Sequence, residues 1–198
     1  ARGKLIYGDA SGDPAALAAG SADEVLTHDG TDFDWAAAGG GGKVLQCLFQ
    51  SYATYKSQTS ATYAGTGLTL SITPADTANK ILIQASMKLF VSSQTSMGFR
   101  LKRNIGGAGE TLIHLFDDNW GMTSGQVSST AAYSDQRFDG QGNILYLDAP
   151  STTSATVYSI DFANMLANSE VNINGAYSGG TGTAHPLSTL VLTEMDFS

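Results

Sequence analysis

Apolar and polar residues alternate along most of this chain with the period of two that a half-buried β-strand requires. The clearest stretch is Lys80–Val91, where Ile81, Ile83, Ala85, Met87, Leu89 and Val91 interleave with Lys80, Gln84, Ser86 and Lys88. Residues 97–103 repeat the pattern with Phe99 and Leu101 opposite Arg100 and Lys102, and in 68–72 Leu68, Leu70 and Ile72 share a face. Further strands are predicted at 44–50, 52–56, 110–116, 143–148, 155–163 and 188–197 from alternation and from β-branched and aromatic content. Turns are predicted at Gly65-Thr66-Gly67, at Pro74-Ala75-Asp76 and across 104–109, and residues 117–142 are the least periodic. Roughly eight to ten short strands without a convincing helix predict an all-β fold, an antiparallel jelly-roll-like β-sandwich.

The first 38 residues read differently. Short apolar runs (Leu5 to Tyr7, Ala15 to Ala19, Val25 and Leu26, Phe33 and Trp35) alternate with turns of Gly, Asp, Ser and Pro. Ser21-Ala22-Asp23-Glu24 matches a capping box, but Asp29-Gly30 follows within about six residues, too soon for a stable helix. Short strands are therefore expected. Strands this short do not bury Leu5, Tyr7, Leu17, Val25, Leu26, Phe33 and Trp35 within one chain, since an isolated two-stranded piece is marginal in water. Three arms intertwined about a common axis would cover these seven residues, so a homotrimer is expected with its interface in the arm. Gly39-Gly40-Gly41-Gly42 then reads as a hinge, because four residues without a Cβ lose the most backbone entropy on ordering. The division is an arm at 1–38, a hinge at 39–42 and a β-sandwich head at 43–198.

Composition narrows the partners. Charged residues are 14% of the chain, against roughly 25% in ordinary soluble domains, which fits a secreted protein polar through Ser, Thr, Asn and Gln, a surface largely covered by copies of itself, or both. A net charge of −8 argues against nucleic acid, whose binding draws on clustered Lys and Arg. Arg100, Lys102 and Arg103 are read instead as the solvated side and end of a strand. No stretch approaches the ~20 apolar residues of a membrane span, and Ala1-Arg2-Gly3-Lys4 lacks a signal-peptide core, so no membrane insertion is expected and work outside a cell would require lysis or a longer precursor. Cys47 is the single cysteine, which excludes an intrachain disulfide; between Leu45 and Phe49 it is expected to be a small buried hydrophobe.

The segment from Gly8-Asp9-Ala10-Ser11-Gly12-Asp13-Pro14 through Ser21-Ala22-Asp23-Glu24-Val25-Leu26-Thr27 to Trp35-Ala36 resembles the linker repeat of tail-fibre and related fibre proteins of tailed bacteriophages, particularly marine ones. The head is similar to the domains that follow this linker, in Leu68 to Pro74, Lys80-Ile81-Leu82-Ile83, Phe99-Arg100-Leu101, Leu147-Asp148-Ala149-Pro150 and Ser188 to Met195. The resemblance implies a trimeric virion protein, assembled in the host cytoplasm and extracellular after lysis, that mediates host-cell attachment. Its partners would be itself, other virion proteins through the arm, and a host cell-surface glycan or protein. With one linker and no evident attachment domain, a head fibre or capsid-decorating subunit is the alternative.

Candidate chemistry is sparse. His28, Asp29, Asp32 and Asp34 bring imidazole and carboxylates together, but an Asp-Gly hairpin turn explains them and they lack calcium-loop spacing. His114, near Asp117, Asp118 and Asn119, reads as an interface or core histidine. No nucleophile-elbow, zinc-protease or phosphate-loop pattern is present, and among Asp117, Asp118, Asp135, Asp139, Asp161 and Glu170 no spacing selects a hydrolytic pair. No catalytic role, metal or cofactor is expected, a polysaccharide depolymerase being the remaining enzymatic alternative. Receptor binding is expected from loops carrying aromatics among polar groups, so Asn119, Trp120, Tyr133, Arg137 and Phe138 are the candidate contacts.

Overall fold

The computed structural model describes residues 3–28, 30–37, 42–91, 97–116, 138–165, 170–175 and 187–197. Every regular element among them is a strand, and the chain divides into two compact units, residues 1–42 and 43–197.

The first unit holds two antiparallel hairpins. β1 (Leu5–Gly8) pairs with β2 (Pro14–Leu17), and β3 (Glu24–His28) pairs with β4 (Phe33–Ala37). The Asp9 carboxylate closes the first turn by accepting the amides of Ser11 and Asp13, at 2.9 and 3.0 Å, while Gly12 takes a φ of 81°. The capping-box residues form a turn: Ser21 N donates to Glu24 Oε2 at 2.6 Å, and Asp23 at a φ of 67° stops a helix from starting. Trp35 is half covered, its indole against Gly20 and its Nε1 donating to the Ala18 carbonyl at 2.6 Å. Tyr7 and Leu17 are also half covered, whereas Leu5, Val25, Leu26 and Phe33 stay exposed. Of the glycine hinge, residues 39–41 lie outside the described residues.

The second unit is an antiparallel β-sandwich of ten strands among the described residues. One sheet has four strands, in the order β10 (Glu110–Leu115), β9 (Met97–Ile105), β12 (Thr156–Asn164), β7 (Ala64–Ile72). The six-stranded sheet centres on β8 (Lys80–Val91). Along one side of it run β14 (Ser188–Asp196) and then β13 (Val171–Ile173), which lead to β5 (Lys43–Tyr52) and β6 (Lys56–Gln58); along the other side runs β11 (Phe138–Asp148). Both sheets feed one core, with Ile81, Ile83, Met87 and Leu89 from β8 meeting Phe99 and Leu101 from β9 and Tyr158, Ile160 and Phe162 from β12. Each such side chain removed from water contributes about 1.5–3 kcal/mol, which is why the period-two pattern of β8 survives intact in the fold.

Several sequence expectations are corrected. Residues 52–56 are not a strand: β5 runs on to Tyr52 and β6 starts at Lys56. Gly65-Thr66-Gly67 is no turn but part of β7, and β11 begins at Phe138 inside the least periodic stretch. Cys47 is exposed rather than buried, because β5 turns Gln46, Leu48 and Gln50 inward and Leu45, Cys47 and Phe49 outward. Arg103 is not solvated either. It lies on the inner face of β9, and its Nη1 reaches both oxygens of the buried Asp148 carboxylate, at 2.7 and 2.8 Å. Tyr158 Oη donates to the same carboxylate at 2.6 Å, so β9 and β12 of one sheet are clamped to β11 of the other. Burial, reinforced by that hydrogen bond, pushes the Tyr158 phenol far above its ordinary pKa.

Candidate ligand cleft

The Gly65-Thr66-Gly67 segment owes its shape to a register shift. β12 pairs Ser159 with Thr69 and then Asp161 with Gly65, so Thr66, Gly67 and Leu68 together oppose Ile160 alone. The backbone left out of the ladder is satisfied locally: Thr66 Oγ1 donates to the Ile160 carbonyl at 2.7 Å and accepts Leu68 N at 3.1 Å. Gly67 takes a φ of 92°, and a Cβ there would stand 2.3 Å from the Tyr52 ring, so no other residue fits. A bulge of this kind bends a strand and re-aims its neighbours, and bulges recur beside functional sites.

Here the bulge opens a cleft of about 400 Å³ on the outer face of the four-stranded sheet, within the usual range for ligand sites. Gly65, Gly67 and Leu68 line it together with Tyr63, Thr69, Ser159 and Asp161, and four charged groups crowd its wall. Arg100 Nη2 meets Asp161 Oδ2 at 2.7 Å, and Lys102 Nζ bridges Asp161 Oδ2 at 2.9 Å and Glu110 Oε2 at 2.5 Å. The Arg100 guanidinium also lies 4.7 Å from the centre of the Tyr63 ring. Burial works against the Lys102 ammonium, but the Glu110 and Asp161 hydrogen bonds outweigh it and hold its pKa above the ordinary value. Asp161 is almost wholly buried; its Oδ2 takes both ion pairs, and its Oδ1 lies 3.8 Å from where a methyl group on Gly65 would stand.

Arg100 and Lys102 are thus neither solvated nor a basic patch, with side chains only 32% and 12% exposed. They sit opposite Asp161 and Ser159 in the β9–β12 ladder, and each finds its counter-charge there or on β10. The cleft offers planar acceptors, cationic donors, hydroxyls and one aromatic ring in an open polar hollow, a set suited to a polyhydroxylated ligand. For glycoside cleavage a sugar must sit between two carboxylates, but the Lys102 ammonium already stands between Asp161 and Glu110.

The residues named from sequence fall elsewhere. Asn119, Trp120, Tyr133 and Arg137 lie outside the described residues; Phe138 opens β11, paired with Val91. His28 serves its hairpin turn, its Nδ1 accepting Gly30 N at 3.0 Å with the ring edge-on to Phe33. His114 is exposed rather than in the core, its ring 4.3 Å from that of Phe116 and 5.1 Å from that of Tyr146. Among the described residues no three His, Cys, Asp or Glu side chains gather as a metal site requires. Sequence reasoning missed Tyr63, Thr69, Ser159 and Glu110 as a group, although glycine inside a strand pattern is a bulge signal.

No protein-family model and no curated protein sequence matches the chain. Among solved structures it is similar to the VP2 subviral particle of infectious bursal disease virus, with a TM-score of 0.37 and 13% identity over 87% of this chain and 42% of that one. The Gx strain structure of the same virus gives 0.38 and 11% over 96% and 45%, and the Gt strain structure 0.36 and 9% over 96% and 48%. The chain spans less than half the length of each.

Proposed function

We propose that this chain is a subunit of a homotrimeric virion fibre, of the kind its linker resembles, and that the head attaches the particle to a host cell-surface glycan through the β7–β9–β12 cleft. The carrying observation is the cleft itself: a glycine bulge shapes it beside a buried aspartate whose Oδ2 is held by Arg100 and Lys102 and whose Oδ1, on the Gly65 side, suits a sugar hydroxyl. Arg100 and Glu110 at the rim supply a donor and an acceptor, and Tyr63 an apolar edge. The arm supports the trimer, since its hairpins leave Leu5, Val25, Leu26 and Phe33 exposed where neighbouring arms would cover them. On this reading the arm also meets other virion proteins, and the protein performs no catalysis.

The test is binding of purified protein to host-surface polysaccharide, compared with a Gly65→Val variant. Gly65 has an ordinary φ, and a Cβ there meets Asp161 Oδ1 at an ordinary contact of 3.8 Å, so valine suits the strand yet intrudes on the cleft. The expected result is a tenfold or greater loss of affinity, about 1.4 kcal/mol, with unchanged melting temperature. Equal binding by both proteins would refute the cleft as the attachment site, and a folded monomer in light scattering would refute the fibre.

A further inference from the structure

The outer face of the six-stranded sheet is the opposite of the cleft. Its registers line up across four strands: Leu147, Leu82, Thr193 and Cys47 form one row, and Leu145, Gln84, Val191 and Phe49 the next. A third row of Asn143, Ser86, Thr189 and Ser51 is also uncharged, so between Lys80 and Lys88 this face carries no charged side chain on β5, β14, β8 or β11. Phe49 is 64% and Leu145 67% exposed, with Leu45 and Leu147 also open to solvent. Between β8, β11 and β14 the face sinks into a hollow of about 290 Å³ lined by Gln84, Leu145 and Val191.

We infer that this face is a subunit interface, and that its occupant is a second copy of the same chain. The inference rests on the trimeric reading above but moves subunit contact onto the head. Area is the first argument. The four open side chains expose roughly 400–500 Å² of apolar surface, the size of the largest patch on a typical monomer, about 300–600 Å², a patch that is often functional. A standard interface takes about 800 Å² from each partner, of which about 60% is apolar, so the patch matches what one partner contributes. Polarity is the second. A surface without charge offers nothing for a charge-complementary partner to read, and interfaces between identical subunits are the apolar class. Shape is the third: Phe49 projects from edge strand β5 about two strand spacings, roughly 10 Å, from the hollow, so the knob of one copy can seat in the hollow of the next around a closed ring.

Cys47 lies on this face beside Thr193, so the chain carries its own reporter. Maleimide alkylation of native protein, followed by intact mass and paired with sedimentation, should find an oligomer in which Cys47 reacts at least about 100-fold more slowly than in urea, because reaction waits for the interface to open. Phe49→Lys and, separately, the milder Leu145→Gln should restore the reaction rate and lower the oligomer mass. Both positions are mostly solvent-exposed, so neither change disturbs the core, and circular dichroism verifies the fold. An oligomer whose Cys47 reacts at the denatured rate would overturn the inference while leaving the trimeric fibre standing. A reactive monomer would overturn both. A protected monomer, or protection unmoved by either substitution in folded protein, would also overturn the interface.

Discussion

Among the described residues Asp148 is the point at which the two sheets of the head are joined by an ion pair, and removing it tests how the sandwich is held. In Asp148→Ala the Tyr158 hydroxyl, on a fully buried residue, loses its acceptor, and Arg103 loses the carboxylate that its Nη1 grips at 2.7 and 2.8 Å. Breaking a buried ion pair from one side costs 3–5 kcal/mol; Arg103, with 20% of its side chain exposed, recovers some hydration, which places the loss near the lower end, about 3 kcal/mol. For a head of this length each kcal/mol moves the midpoint by about 2–4 °C, so the expected shift is about 6–12 °C. Tyr158→Phe removes one hydrogen bond and leaves the ion pair, and should cost about 1 kcal/mol. Arg103→Met should cost nearly as much as Asp148→Ala. The double replacement Arg103→Met with Asp148→Leu leaves no orphaned charge and should cost less than its two single changes together by about 2 kcal/mol. Thermal melts followed by circular dichroism at one fixed protein concentration measure all four, together with the Asp148→Leu single change that completes the cycle, since association raises the midpoint as concentration rises. A shift below about 2 °C for Asp148→Ala, or strictly additive single changes, would refute the clamp.

The buried Glu194 carboxylate is opposed by desolvation, but Gln46, Asn79 and the Ala75 amide donate to it at 2.5, 2.6 and 2.7 Å and hold its pKa below the ordinary value. A depressed folded-state pKa contributes stability that is present above the unfolded pKa of about 4.5 and is lost as pH falls further. Melting temperature should therefore drop on acidification through that range, and Glu194→Gln should flatten the drop; equal acid slopes would disprove the linkage. Gly67→Ala combines a φ of 92° with a 2.3 Å approach to Tyr52 and should cost about 3 kcal/mol from backbone strain and overpacking together, while weakening any ligand of the cleft. Urea unfolding is the measurement, and a loss under about 1 kcal/mol would show that the bulge relaxes freely.

What the sequence made legible follows from which strand faces are unambiguous. β8 was readable to the residue because only one of its faces is wholly apolar. β5 was not, for Leu45, Cys47 and Phe49 are as apolar as the Val44 and Leu48 around them, and alternation alone does not say which side meets the core. The three-residue strands β6 and β13 are too short for any period to show. In β7 two glycines imitated a turn, since the residue that permits a positive φ in a loop is the residue that permits a bulge in a strand. The same ambiguity hid the cleft. Arg100 and Lys102 alternate as solvated positions would, and only the β9–β12 register shows Asp161 placed against Arg100.

The two outer faces of the head divide the work that its small charge inventory permits. Arg100, Lys102, Glu110 and Asp161 ring the hollow of one sheet, while the three central rows of the other sheet's outer face carry no charge. A monomer would be expected to spread those charges over both faces, since an uncharged four-strand surface invites association. The absence of charge from those central rows follows if they lie against sister copies. A ring that hid Phe49 and Leu145 would turn the clefts of its copies outward, so weak single sites would act together, and multivalency would raise avidity well above what a shallow polar cleft achieves by itself.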